Sequence, residues 1–190
     1  MKNNLKNKFE SKIQPARDEI KDLILNHGDK VIGEIKLSQI YSGMRGMISM
    51  VTETSKLDPE EGIKFRGYSL DELLHLLPTY KGGKQPMPEG IFYLMLMGDL
   101  PTIEDVELIS EDWKKRSNVP DHVFAVLDSF PKNAHPMTQF SAAILALRGD
   151  SCFMKAYNEG VRKKDYWSSS YEDAMNLIAS LPIIAAYIYR

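Results

Sequence analysis

Apolar residues first recur at helical spacing along this chain. Ile13, Ile20, Leu23, Ile24 and His27 fall on one face, with polar and charged residues on the others. That pattern predicts an amphipathic surface helix within residues 1–28, with Gly28 where a C-terminal cap belongs. The period then changes to two. Val31, Gly33, Ile35 and Leu37 alternate with Ile32, Glu34 and Lys36, which predicts a short strand. Two further strand-like pieces, Met47–Thr54 and Ile63–Phe65, flank Leu57–Gly62, a segment rich in turn formers. Together they predict a small β-hairpin or meander between residues 30 and 68.

From Ser69 the spacing is helical throughout. Ser69-Leu70-Asp71-Glu72 has the form of a capping box, in which the Ser69 hydroxyl accepts from the Glu72 backbone N–H and the Glu72 carboxylate reaches back. Leu70, Leu73, Leu74 and Leu77 follow on one face, and Pro78 ends the run. Residues 80–88, with Gly82, Gly83, Pro86 and Pro88, form a loop. Glu89–Met97 is a nearly all-apolar helix stopped by Gly98. Thr102 caps a helix carrying Ile103, Val106, Ile109 and Trp113. Pro120 sits near the start of the next, which carries Val123, Phe124, Leu127 and Phe130 and is closed by Pro131. Another begins near Pro136 with Phe140, Ala143, Ile144 and Leu147. Gly149-Asp150 turns the chain into a segment with Phe153 and Tyr157. A last helix begins near Ser170, with Ser170–Asp173 as its cap, and runs to Arg190.

Seven or eight helices against two or three short strands make the chain mainly α. No internal repeat and no low-complexity linker divides it, so residues 1–190 are expected to form one helical domain: an N-terminal helix over 1–28, short strands over 30–68 and helices over 69–190. Two helices are apolar on almost every side. Residues 136–148 carry Ser141, Ala142, Ala143 and Ala146, and residues 171–190 carry Ala174, Ala179, Ala185 and Ala186 among leucines and isoleucines. A helix of that kind is buried on most faces, either at the centre of this chain's core or beneath another subunit, and the pattern leaves both open.

Composition narrows the classes. With 24 basic and 26 acidic residues among 190, the net charge is -2, which argues against a nucleic-acid binder with its basic stripe. Cys152 is the single cysteine, so there is no internal disulfide, as in a reducing compartment. Met1–Glu10 lacks the apolar core of a secretory signal, and Glu10, Asp18, Glu19 and Asp22 are unlike a transit peptide. The most apolar stretch, Ala174–Tyr189, is too short to span a bilayer. A cytoplasmic protein with no membrane partner is the default expectation.

Candidate chemistry is sparse. His27, His75, His122 and His135 are each isolated, with no second ligand at metal spacing. His135, just before a helix, is expected to serve the cap. Cys152 lacks a histidine partner and is expected to be a structural thiol. Gly82-Gly83 follows Lys81 with no preceding strand, so it is no phosphate loop. Asp58, Glu60 and Glu61 sit in a turn without calcium-loop spacing. Two basic features stand out. Glycines bracket Arg45 in Gly43-Met44-Arg45-Gly46-Met47, allowing a close backbone approach. Arg162-Lys163-Lys164 forms a compact positive patch after Gly160. Each is suited to phosphate, and each has a plain alternative as a salt bridge or a solvated turn.

Gly43–Met47, the run Glu53–Ser69, the segment Phe130–Met137, Ala156–Gly160, Tyr166-Trp167, Tyr171–Asp173, Leu181-Pro182 and Ile188–Arg190 together resemble citrate synthase, most closely the mitochondrial-type branch. The resemblance covers nearly all the chain after about residue 15. It implies the multi-helical large domain of that fold, of which this chain would be an amino-terminal part, with the small hairpin near the N-terminus. It implies an enzyme, an acyltransferase of the tricarboxylic acid cycle, that condenses acetyl-CoA with oxaloacetate to citrate and CoA and holds no tightly bound cofactor or metal. The family's catalytic carboxylate and histidines have no matching position here, so the chain alone is expected to be inactive. Arg45 matches a family arginine associated with CoA phosphates. Lys163 falls where mitochondrial-type members carry an arginine that reaches CoA from the neighbouring subunit. The resemblance also implies a homodimer packed through helices near 136–148 and 167–190. A 2-methylcitrate synthase shares the fold, and a non-catalytic helical dimerisation module is the alternative from another class.

Overall fold

The computed structural model describes residues 4–48 and 50–190. They gather into two compact units, Met1–Glu107 and Leu108–Arg190. Three strands and nine α-helices are present among the described residues.

In the first unit, α1 (Leu5–His27) starts at Asn4, whose side chain accepts from the Lys6 backbone N–H, and ends at Gly28. The cap position agrees with the sequence pattern. The apolar stripe does not find a core: Leu23 is 60% and Ile24 63% exposed. Its anchorage lies nearer the N-terminal end, where Leu5 is buried and two lysines find partners. Lys8 Nζ lies 2.5 Å from Asp105 Oδ1, and Lys12 donates to the Met97 carbonyl at 2.8 Å and pairs with Asp99.

The strand expected over Val31–Leu37 is absent. Residues 30–36 carry no regular structure, and Leu37 opens the short helix α2 (Leu37–Tyr41). Met47–Thr54 is likewise not a strand in its described residues; Ser49 within it lies outside them. A strand exists only where a neighbour takes up its backbone groups along its length. The Thr54 carbonyl accepts from the Arg66 backbone N–H at 3.0 Å, and no more extended ladder involves these segments among the described residues. Alternation alone cannot supply one.

The meander forms later and smaller than expected. β1 (Ser55–Asp58), β2 (Gly62–Phe65) and β3 (Tyr68–Ser69) pair antiparallel in the order β1-β2-β3. Asp58 faces Gly62 across the first turn and Phe65 faces Tyr68 across the second. Asp58 Oδ1 accepts from the backbone N–H of Glu60 and of Glu61 at 3.0 and 3.1 Å. Its acidity is therefore used in turn formation. Arg66 and Gly67 both have positive φ, 49° and 90°, as a two-residue hairpin loop requires. The Arg66 guanidinium reaches the Met95 carbonyl at 2.8 Å, near the C-terminal end of α4 (Pro88–Met97), where a cation opposes the helix dipole.

Helix α3 (Leu70–Leu76) carries the predicted capping box: Ser69 Oγ accepts from Glu72 N at 3.3 Å, and Glu72 Oε2 accepts from Ser69 N at 2.8 Å. Those bonds hold the Glu72 carboxyl below its ordinary pKa. Leu73 and Leu77 turn inward while Leu70 and Leu74 remain exposed. With Leu94 of α4 (Pro88–Met97), they form a core flanked by Phe65, Tyr68, Ile91 and Leu100. Helix α5 (Ile103–Arg116) starts from Thr102, whose Oγ1 accepts from Asp105 N at 3.2 Å. Val106 and Ile109 on it are fully buried. Burial alone would raise the Asp105 carboxyl, but the Lys8 ammonium and the Thr102 donors outweigh it and hold Asp105 below its usual value.

The second unit comprises the later part of α5, then α6 (Asp121–Asp128), α7 (Pro136–Ala146), a 3-10 turn (Leu147–Asp150), α8 (Cys152–Asn158), a second 3-10 turn (Lys163–Asp165) and α9 (Tyr166–Ile188). Val123, Leu127, Ala143 and Ile184 bring α6, α7 and α9 together. Ala143 has no exposed surface, so backbones meet there with little side chain between them. At the far end Tyr187 donates to Asp128 at 2.8 Å, stacks against Phe124 at 4.6 Å and carries the Arg190 guanidinium 3.5 Å above its ring.

Helix α9 begins four residues earlier than Ser170, so Ser170–Asp173 lies inside it and is not its cap. Asp173 caps a different helix. It accepts from Ser151 Oγ at 2.6 Å, Cys152 N at 2.6 Å and Phe153 N at 3.0 Å, the first turn of α8. Glu172 pairs with Arg116 at 2.7 Å. Among the described residues no helix is long and apolar enough to cross a membrane.

Removing the cap with Asp173→Ala is expected to cost about 2 kcal/mol in urea unfolding, because it orphans two α8 N–H groups and the Ser151 hydroxyl. Acid should act in the same direction. Burial would raise Asp173, yet its hydrogen bonds hold it below the ordinary carboxylate value, as at Asp105. Depressed carboxyls contribute stability above the unfolded-state value of about 4 and lose it as pH falls through their native values. The urea midpoint is therefore predicted to hold steady above pH of about 5 and fall below about 4.

Candidate functional site

The two basic features named above occupy exposed turns, one in each unit. The first follows α2. Gly43, Met44 and Gly46 all have positive φ, 79°, 62° and 67°. Glycine takes this conformation freely, whereas a residue such as Met44 held there carries strain on the order of 1 kcal/mol. The chain reverses so tightly that Arg45 stands at the tip, exposed, with no hydrogen-bond or ion-pair partner for its guanidinium among the described residues.

What fixes this turn is Gln39. Its Nε2 donates to the carbonyls of Arg45 at 3.3 Å and Gly46 at 3.2 Å, and its Oε1 accepts from Lys36 N at 2.8 Å. The Met44 N–H returns to the Gln39 carbonyl at 2.7 Å. Gln39 is half-buried while every other residue from 18 to 46 is exposed.

The second basic turn lies between α8 and α9. Gly160 at φ 74° ends the turn after α8, and Arg162, Lys163 and Lys164 are exposed. Arg162 is committed to Asp165, with a 3.0 Å bond. Lys163 opens the 3-10 turn. Both flanks are anchored: the Asp173 cap ties α8 to α9, and Phe153, Tyr157 and Tyr166 form an aromatic cluster with Phe153 and Tyr166 edge to face at 5.1 Å. A rigid frame thus presents a flexible ammonium, which offers point charge without a fork. The structure places Arg45 and Lys163 in separate units.

The remaining candidates resolve as structural. His135 Nδ1 accepts from Met137 N at 3.2 Å and caps α7, as its position suggested. The His122 ring reaches the Ala146 carbonyl at 3.1 Å. His75 is exposed on α3. Cys152 is half-buried, and burial together with the Asp173 carboxylate pushes its thiol pKa up, the opposite of a reactive thiolate. No group of metal-ligating residues exists among the described residues. A cavity of about 550 Å³ opens in the second unit, lined by Arg116, Arg148, Ser151, Asp173, Asn176 and Ser180 among others. Arg116 is spent internally, on Asp112 at 2.8 Å, Glu172 at 2.7 Å and Asn176 at 2.9 Å. Tyr171 nearby is buried, which pushes its phenol up to about 12.

Gln39, Asp173 and Arg116 were missed in the sequence. Arg116 offered only its i,i+4 pairing with Asp112, and the run Ser170–Asp173 pointed to a cap on its own helix, whereas Glu172 and the start of α8, which Arg116 and Asp173 reach, lie 56 and about 20 residues away. Gln39 gave one usable signal, an amide three residues after Lys36, where a reciprocal cap would place it.

A family profile described as citrate synthase, C-terminal domain, matches residues 43–190. The chain belongs to the citrate synthase family. The matched span contains both basic turns. Proteins described as mitochondrial citrate synthase from Kajikia audax and from Xiphias gladius are each 52% identical over 187 residues, covering 98% of this chain. The chain spans 40% of the length of these curated relatives. The crystal structure of citrate synthase from Pyrobaculum aerophilum is similar with a TM-score of 0.63 at 27% identity, over 85% of this chain and 39% of that one. Citrate synthase from the thermophilic archaeon Thermoplasma acidophilum, in a ternary complex with carboxymethyl coenzyme A and oxaloacetate, gives 0.55 at 23% identity over 77% and 34%. At that identity the likeness speaks for the fold alone.

For this citrate synthase family chain, the geometry separates the two arginines by role. Arg45→Ala is expected to leave the urea unfolding free energy within roughly 0.5 kcal/mol, since the exposed side chain makes no hydrogen bond or ion pair among the described residues. Arg116→Ala should cost about 3 kcal/mol, because two half-buried carboxylates lose their cation.

Proposed function

We propose that this chain is part of a citrate synthase, an enzyme condensing acetyl-CoA with oxaloacetate and water to give citrate and CoA. The observation that carries this is the 52% identity over 187 residues to two relatives described by that name. The chain's share of the work is binding. Arg45 and Lys163 hold the phosphates of coenzyme A, the first by a guanidinium fork and the second by point charge. Support comes from the exposed tip at Arg45, raised on a strained turn that an internal hydrogen-bond set maintains. No residue of this chain is given a catalytic role. The carboxylate and histidines of the condensation belong to the length of the relatives that this chain does not span.

The partner we propose is a second copy. On α9 the inner residues Met175, Ala179 and Ile184 are buried, while Ala174, Pro182 and Ala186 face outward; on α7, Met137 and Leu145 are 59% and 74% exposed. Small and apolar outer faces of this kind suit close packing against an identical subunit. Lys163 then serves a neighbouring subunit's coenzyme. We propose further that residues 1–190 form a single helical domain, the amino-terminal part of the family's large domain. The cytoplasmic default has one observation against it: both relatives are described as mitochondrial, so we favour descent from the mitochondrial-type branch.

Pure 190-residue chain is expected to release no CoA thiol from acetyl-CoA and oxaloacetate; saturable turnover would overturn the division of labour. In the full natural protein, Lys163→Ala should raise the KM for acetyl-CoA several-fold, by the ~1 kcal/mol of one charge contact. Lys163→Arg should not raise it, and neither change should move the KM for oxaloacetate. Sedimentation should find the chain self-associated; a monomer that binds no apolar dye would contradict the proposed interface.

A further inference from the structure

The Arg45 turn is held by the side chain and the carbonyl of one residue, Gln39. Three of the four residues Gly43–Gly46 have positive φ. That backbone aims two consecutive carbonyls, those of Arg45 and Gly46, at one amide, Gln39 Nε2. The same amide's oxygen is anchored on the Lys36 N–H, so the group cannot rotate without breaking a bond at its other end. Gly46 is required by its backbone, since at φ 67° any side chain there is strained, while the space beside Gln39 Nε2 would admit a Cβ at an ordinary 3.7 Å.

We infer that Gln39 is a positioning residue for coenzyme A, acting through Arg45. The inference rests on the coenzyme role proposed for Arg45. Two N–H···O=C bonds fix the peptide planes on both sides of Gly46, the first of which leaves Arg45. The guanidinium then starts from a defined Cα–Cβ direction, and little conformational freedom remains to be lost when a phosphate docks. Without the amide, two carbonyls turn to solvent and Met44 can leave its strained conformation. Arg45 keeps its charge but loses its aim. The signature of such a role is weaker coenzyme binding with unaltered chemistry.

The experiment is a double-mutant cycle in the full natural protein, with Gln39→Met, Arg45→Ala and the pair, read by steady-state kinetics in both substrates. Gln39→Met should raise the KM for acetyl-CoA by about tenfold, the order expected for losing hydrogen bonds worth about 1.4 kcal/mol. The kcat and the KM for oxaloacetate should stay within about twofold, and Gln39→Met should add nothing once Arg45→Ala is present. If Arg45→Ala leaves the KM for acetyl-CoA unchanged, the coenzyme role of Arg45 falls, and this inference with it. If Arg45→Ala raises it and Gln39→Met does not, the Gln39 inference alone is overturned. An additive effect, or equal damage to kcat and to oxaloacetate binding, would mean that Gln39 only maintains the fold and would also overturn it. Gln39→Asn, whose amide is one methylene too short to bridge, should behave as Gln39→Met does and serves if the latter fails to fold.

Discussion

Burial of the inner face of α9 is the contact on which the C-terminal unit depends. Ile184 is fully enclosed with Val123 of α6 and Ala143 of α7, and Met175 is fully enclosed a few turns earlier. Helix α9 is 23 residues long, longer than its neighbours, so each of them takes its place by packing somewhere along it. The Ala143 contact matters because a missing side chain brings backbones together. A larger residue there would have to displace Ile184 or Val123, and close-packed interiors tolerate that poorly.

Polar bonds then turn that packing into defined geometry. Arg116 ties α5 to α9 through Glu172 and Asn176, and Asp173 ties α8 to α9 by capping it. Both carboxylates come from adjacent positions of one helix, pointing to different neighbours. The turn with Lys163 inherits its position from this arrangement, since both its flanks are pinned. In the N-terminal unit the logic differs. There a small leucine core around Leu94 is supplemented by cations, Lys8, Lys12 and Arg66, reaching helix ends and carboxylates. Leu25, Val31, Ile32 and Tyr41 remain widely exposed.

What the sequence made legible was local. The Ser69 capping box, the Gly98 stop and the His135 cap all depend on residues a few positions apart, and all three formed. The strand at Val31–Leu37 failed because alternation predicts a face and says nothing about a pairing partner. The start of α9 was misplaced for a related reason: Glu172 and Asp173 looked like a cap in sequence, while their bonds run to distant helices. The candidate site shows the same divide. Glycines bracketing Arg45 were visible, but the amide that holds the turn lies on a helix whose existence the strand pattern concealed.

The coenzyme role proposed here has this chain contribute phosphate-binding cations to a citrate synthase. A crystal structure of the full natural protein with CoA bound tests it most directly. Phosphate oxygens should lie within roughly 3 Å of the Arg45 guanidinium, and a further one within salt-bridge reach of Lys163 from a neighbouring subunit. CoA bound with both side chains in open solvent would contradict it.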